Sequence, residues 1–193
     1  MRAFLAVPLP PDFRPAVESL QENLGSLSAL GEFRWIPAGN VHLTLRFLGE
    51  IGEEEARAAG DALEAAAAEG AEFELRLERF GVFPHLKSPN VLWAGPNEVP
   101  PALAALAGAL GGALEEAGFP REGRPFQAHL TLGRRRGRGR APAGLEGELE
   151  AAESRWLQPP PSFRTAEAAL FRSDLRPSGA IYTPVRQVAL PKR

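Results

Sequence analysis

The sequence predicts an α+β fold built from two pseudo-symmetric lobes, and three observations point to it. Short apolar strands alternate with amphipathic helices, while the Gly- and Pro-containing turns between them suit antiparallel pairing as well as crossovers. The order strand, helix, motif strand, helix, strand occurs before about residue 90 and loosely again after it. His42-Leu43-Thr44-Leu45 returns 87 positions later as His129-Leu130-Thr131-Leu132. The chain has three His and four Thr, and this tetrapeptide uses two of each, so chance composition is a poor explanation. No linker separates the halves. Residues 1–193 therefore read as a single domain of two interleaved lobes, each carrying one motif. Two antiparallel-type sheets form a central cleft, with helices on the outside.

The elements follow in order. Arg2 to Val7 alternates loosely as a strand and ends in the Pro-rich stretch Pro8–Pro11. Asp12 is placed to cap a helix running to about Leu24, with Phe13, Val17, Leu20 and Leu24 at helical spacing and Gly25 as the stop. Glu32 to Ile36 is a short strand, and Gly39-Asn40 turns the chain into the first motif strand, Val41 to Leu48. Glu53 to Glu69 is a helix with an acidic first turn, which suits the positive end of the helix dipole. Phe73, Leu75 and Leu77 alternate with charged residues, the pattern of a half-buried strand. Phe80 to Pro89 reads as a loop and Val91 to Ala94 as a strand. Pro100-Pro101 opens a helix from Ala102 to Ala117, with Leu103, Leu106, Leu110 and Leu114 on one stripe. The second motif strand spans Phe126 to Arg134, and an Arg-rich loop through Arg140 follows. A short acidic helix is expected around Leu145 to Ala152. Thr165 to Phe171 and Ala180 to Leu190 form a hairpin joined through Ser173–Gly179.

Composition narrows the function. Absence of Cys excludes disulfides, zinc-thiolate sites and a Cys nucleophile. A net charge of -2 argues against nonspecific coating of nucleic acid, so any contact with RNA must come from a local patch. No apolar run reaches the roughly 18 residues of a membrane span, and the N-terminal apolar run is broken by Pro8 and Pro10. We expect a cytoplasmic monomer with no membrane contact.

On a strand, residues two apart share a face. His42 and Thr44 therefore point one way and Leu43 and Leu45 the other; His129 and Thr131 repeat the pattern. Facing lobes would give one cleft two imidazoles and two hydroxyls, a set suited to phosphodiester chemistry. A neutral imidazole can deprotonate water while a protonated one serves the leaving oxygen. The Thr hydroxyls can donate to the non-bridging oxygens. No metal or cofactor is required, and His85, alone in a Pro-rich loop, makes a poor zinc ligand. These residues leave open which His is acid and which is base.

The duplicated His-x-Thr-x motif resembles that of the two-histidine (2H) phosphoesterases, and within them the RNA 2′,3′-cyclic phosphodiesterases, also called the 2′-5′ RNA ligase or LigT-like family. The likeness spans nearly the whole chain. It runs from Arg2–Val7 through His42–Gly49, Val91–Gly95 and His129–Arg134 to Ser173 and Gly179–Tyr182. It implies hydrolysis of RNA terminal 2′,3′-cyclic phosphates, tRNA fragments among them, to 2′-phosphomonoesters. His42 would be the proton donor and His129 the proton acceptor, with Thr44, Thr131 and Arg134 on the phosphate. Reversible 2′-5′ ligation follows from microscopic reversibility. Strict alternation would turn Arg134 away from His129, so a strand end or bulge is required there. Arg46 shares the His42 face by the same count. Arg135, Arg136, Arg138 and Arg140 receive no assigned role beyond phosphate contacts along an RNA chain. Phe47, Trp93 and Phe126 read as core. One alternative is a 2H enzyme acting on small cyclic nucleotides, ADP-ribose cyclic phosphate or 2′-5′ oligoadenylate. Another is a non-catalytic RNA-binding module.

Overall fold

The computed structural model describes residues 1–137, 139–177 and 179–192; Arg138, one of the loop arginines, lies outside the described residues. Its strands are β1 (Arg2–Pro8), β2 (Phe33–Trp35), β3 (His42–Glu50), β4 (Phe73–Arg76), β5 (Arg79–Phe83), β6 (Val91–Gly95), β7 (Leu130–Arg135), β8 (Ser162–Thr165), β9 (Glu167–Arg176) and β10 (Gly179–Ala189). The helices are α1 (Arg14–Gly25), α2 (Glu53–Glu69), α3 (Pro101–Glu116) and α4 (Leu145–Trp156).

Two four-stranded antiparallel arrays carry the motifs. One has the order β10-β9-β1-β3; the other is formed by β7, β6 and β5, with β2 added on the free edge of β7. They join through one registered pair, Leu43 opposite Leu130. The unit β1-α1-β3 corresponds to β6-α3-β7, because each runs from a flanking strand through a helix to a motif strand. β4 and β8 form a separate two-stranded sheet.

Apolar patterning explains which face each motif buries. Val41, Leu43, Leu45, Leu130 and Leu132 are all buried in one continuous core. Full burial of each Leu contributes about 1.5–3 kcal/mol, enough to hold the register that turns His and Thr the other way. α3 buries Leu103, Leu106, Leu110 and Leu114 and packs along α2. The α2 boundaries match the expected Glu53 to Glu69, with the Glu55 carboxylate accepting from the Gly52 amide at 2.7 Å.

Several expectations need correction. Asp12 caps no helix: it sits in a 3₁₀ turn, Pro11–Phe13, and α1 begins after it. Residues 79–83, expected to be loop from Phe80 onward, form β5, because Phe80 and Val82 alternate as buried residues against β6. β7 starts at Leu130 rather than Phe126, and it includes Arg134 and Arg135. Phe47 is not core. It is 63% exposed, because β3 carries register shifts against β1 that break its alternation before this point.

Candidate active site

The antiparallel pairing centred on Leu43 and Leu130 places the two motifs side by side. His42 lies across from Thr131 and Thr44 across from His129, so the four polar side chains occupy one face of the joined arrays. All four are half-buried. Neither Thr hydroxyl has a hydrogen-bond partner among the described residues, which leaves both free for a ligand.

Each imidazole is held in the same way. His42 Nδ1 lies 2.8 Å from the Asn40 carbonyl, and His129 Nδ1 lies 2.8 Å from the Gln127 carbonyl. A carbonyl can only accept, so each Nδ1 carries its proton and donates it. Nε2 is therefore the free nitrogen of both rings: a base when the ring is neutral, a donor when it is protonated. Asn40 is itself anchored, since its Nδ2 donates to the Ala180 carbonyl at 2.9 Å on β10.

Aromatic rings wall both histidines, and the walls are also pseudo-symmetric. Phe4 stacks on His42 at 4.7 Å between centroids, and Tyr182 meets the same ring edge-on at 5.2 Å. On the other side, Phe83 meets His129 edge-on at 4.9 Å and Trp93 lies 6.2 Å away. The Trp93 indole lies over Gly81, stacked with Phe83 and with the Arg79 guanidinium 5.1 Å from its ring. A side chain at Gly95 would meet the Ala128 carbonyl at 2.6 Å; only glycine lets β6 approach the backbone before His129 this closely.

These walls lower both imidazole pKa values below the ordinary 6.5. Burial is the main cause in each case, partly opposed by the backbone hydrogen bond, and the positive charge of Arg134 lowers both further. His42 also feels the charge of His129. The pair therefore resists double protonation.

Arg134 comes within electrostatic reach of both imidazoles because β7 bulges. Trp93 pairs with Thr131 but Leu92 pairs with Gly133, so Leu132 is the extra residue. Arg134 consequently returns to the face of Thr131. The bulge is pinned at the Leu132 carbonyl, which accepts from the Ile36 amide at 2.9 Å and from buried Gln21 Nε2 at 2.9 Å. Gln21 was not legible as a site-supporting residue; only its polar side chain in an otherwise apolar helix stripe hints at it. Arg134 is exposed and has no carboxylate partner among the described residues.

Other arginines are engaged elsewhere. Arg46, expected on the His42 face, donates to the Pro120 carbonyl and lies 3.4 Å from Glu122, so it ties β3 to the segment before β7. Arg135 pairs with Glu32 at 2.7 Å and donates to the Gly139 and Arg140 carbonyls, which makes it a brace for its own loop. Arg136 and Arg140 are exposed. His85 is exposed in the β5–β6 connection. Among the described residues no group of three or more His, Cys, Asp or Glu is placed to hold a metal ion, and no helix is long and apolar enough to cross a membrane.

Comparison with known proteins agrees with this layout. The family model described as LigT like Phosphoesterase matches twice, over residues 7–93 and 94–182, once for each motif. A Methanothermobacter thermautotrophicus protein named RNA 2′,3′-cyclic phosphodiesterase is 35% identical over 185 residues, covering 95% of both chains. A Thermus thermophilus protein of the same name is 35% identical over 206 aligned positions, covering 98% of this chain and 90% of that one. The crystal structure of E. coli LigT complexed with 3′-AMP superposes with a TM-score of 0.76 at 27% identity, covering 99% of this chain and 98% of that one. By its duplicated motif, its fold and these relatives, the chain belongs to the LigT-like phosphoesterase family of two-histidine enzymes.

Proposed function

We propose that this protein hydrolyses RNA terminal 2′,3′-cyclic phosphates to 2′-phosphomonoesters without a metal, acting as one domain of two interleaved lobes. The observation that carries this reading is the pair of imidazoles with Nδ1 committed to main-chain carbonyls and Nε2 free, flanking two unengaged Thr hydroxyls. Water attacks phosphorus and gives its proton to His129 Nε2. The P–O3′ bond breaks, and O3′ takes the proton from His42 Nε2, leaving a 2′-phosphate and a 3′-hydroxyl. Thr44, Thr131 and Arg134 donate to the non-bridging oxygens, where charge grows.

The assignment of His42 as proton donor and His129 as acceptor is the one the family resemblance implies, and Phe47 supports it. Its exposed ring lies 6.2 Å from Phe4, which in turn stacks on His42, so a nucleobase platform sits in the same lobe as His42. A base on Phe47 would bring its ribose toward His42, which supports His42 as the donor to the leaving 3′ oxygen. The anionic substrate favours imidazolium and so opposes the effect of burial on both rings. With a 5′-hydroxyl attacking in place of water, the same acid–base pair forms a 2′-5′ linkage, and the reverse reaction cleaves it.

The test is incubation with EDTA and an oligonucleotide ending in a 2′,3′-cyclic phosphate. A 2′-phosphate product is expected. A 3′-phosphate would reverse the leaving-group assignment, and absence of turnover would sink the catalytic reading in favour of an RNA-binding module.

A further inference from the structure

A cavity opens from the His42 side of the active site and extends beyond the residues used in the chemistry described above. It encloses about 450 Å³ and runs from His42 and Tyr182 past Phe171 and Asn40 to Arg14 and Arg164. Its volume lies within the range of sites for small organic ligands. Arg14 is exposed and has no carboxylate partner among the described residues. Arg164 is held only loosely, 3.5 Å from Glu72, with its side chain 68% exposed. Glu167 is the one acidic residue lining the space. Arg164 already pairs with Glu72, so Arg14 is the lining cation with no carboxylate partner among the described residues, and Arg164 meets an anion by sharing its guanidinium with Glu72.

We infer that this cavity is the subsite for the nucleotide immediately 5′ of the cyclic-phosphate end, with Arg14 and Arg164 on the phosphate that links the two nucleotides. The inference rests on the acid–base reading above. In-line displacement puts the attacking water and the leaving oxygen on opposite sides of phosphorus, so a ribose beside His42 leaves the His129 side to water. The RNA chain must then continue away from the phosphate on the His42 side. Phe47 takes the terminal base in one direction along this lobe. The cavity lies at the opposite end of β3, beyond Asn40 and Val41, where the 5′ continuation of the same nucleoside has to go. Ring surfaces of Phe171 and Tyr182 line it and suit a stacked base. Arg136 and Arg140 are left on the other lobe, away from this strand.

The test compares a nucleoside 2′,3′-cyclic phosphate with a trinucleotide ending in the same cyclic phosphate, using the parent protein and Arg14→Ala/Arg164→Ala. The parent should favour the trinucleotide about tenfold in kcat/KM, the scale of a charge-assisted phosphate contact. The variant should lose most of that ratio. Its log–log salt dependence for the trinucleotide should flatten by about 0.7 for each phosphate contact removed. Binding of the trinucleotide 2′-phosphate product, against the mononucleotide product, reads the subsite without turnover and should show the same loss. A parent that treats both lengths equally in turnover and binding, or a variant that keeps the preference, overturns the subsite. A chain-length preference in binding with no hydrolysis of either substrate would instead overturn the catalytic reading and keep the subsite.

Discussion

Gly81→Ala tests whether the aromatic wall positions His129. A Cβ at residue 81 would lie 2.1 Å from Trp93 Cζ2, 2.4 Å from Cε2 and 2.7 Å from Cη2. Ordinary carbon contacts are about 3.5–4.0 Å, so the indole must move by about 1.5 Å. It has little freedom to slide, because Phe83 stacks on it and Arg79 lies over its ring. The buried indole Nε1 has no hydrogen-bond partner among the described residues, so packing holds the ring in place. Any shift of the indole disturbs the wall it forms 6.2 Å from the His129 ring. Overpacking of this kind costs about 1–3 kcal/mol, which lowers Tm by a few degrees in a chain of this size. A 1 Å error in a catalytic group costs about 10²-fold in rate. Thermal melts and kcat/KM on a cyclic-phosphate oligonucleotide should therefore show a modest stability loss beside a large loss of activity. The lowered Tm with undiminished kcat/KM would refute the claim that Trp93 fixes His129.

Two further outcomes follow from the electrostatics. Both imidazoles titrate below 6.5 in the free enzyme, so kcat/KM should peak on the acid side of neutrality. Arg134→Gln removes a positive charge that disfavours imidazolium, so both limbs of that profile should move to higher pH while KM rises; unmoved limbs would place Arg134 away from the pair. Stability should also depend on these groups, since an unfolded His takes its proton near 6.5 and the folded ones do so only at lower pH. The stability is full above 6.5 and is lost as pH falls from there through the folded pKa values. Tm measured over that window should fall less steeply in His42→Ala/His129→Ala than in the parent, and equal slopes would contradict the burial argument.

The features carried by local patterning were legible in the chain. The Leu side of each motif, the Ala-rich α2 with its acidic first turn, and the Leu stripe of α3 all follow from period and burial. What could not be read was set by pairing between distant strands. Phe47 and Arg134 stand at the same offset from their motif histidines, and alternation assigns both to the core face. Bulges in β3 and β7 return both to the active face, one as an exposed aromatic ring and one as a cation. A bulge depends on the partner strand's register and, at Leu132, on a carbonyl clamp from Gln21, 111 residues away. β5 was hidden because its alternation ends in the Pro-containing connection to β6 and gains meaning only against Trp93. The aromatic walls combine residues from β1, β5, β6 and β10, which no local window contains.

The central claim is that two equivalent-looking imidazoles act on one phosphate in one step. Single-turnover rates for His42→Ala, His129→Ala and the double variant on a cyclic-phosphate oligonucleotide test it directly. Each single change should slow the reaction by about 10²–10⁴-fold. The double variant should be no slower than the slower single, because groups that act as a unit are lost together. A double-variant defect equal to the product of the two single defects, or a single variant with near-parent activity, would contradict the paired mechanism.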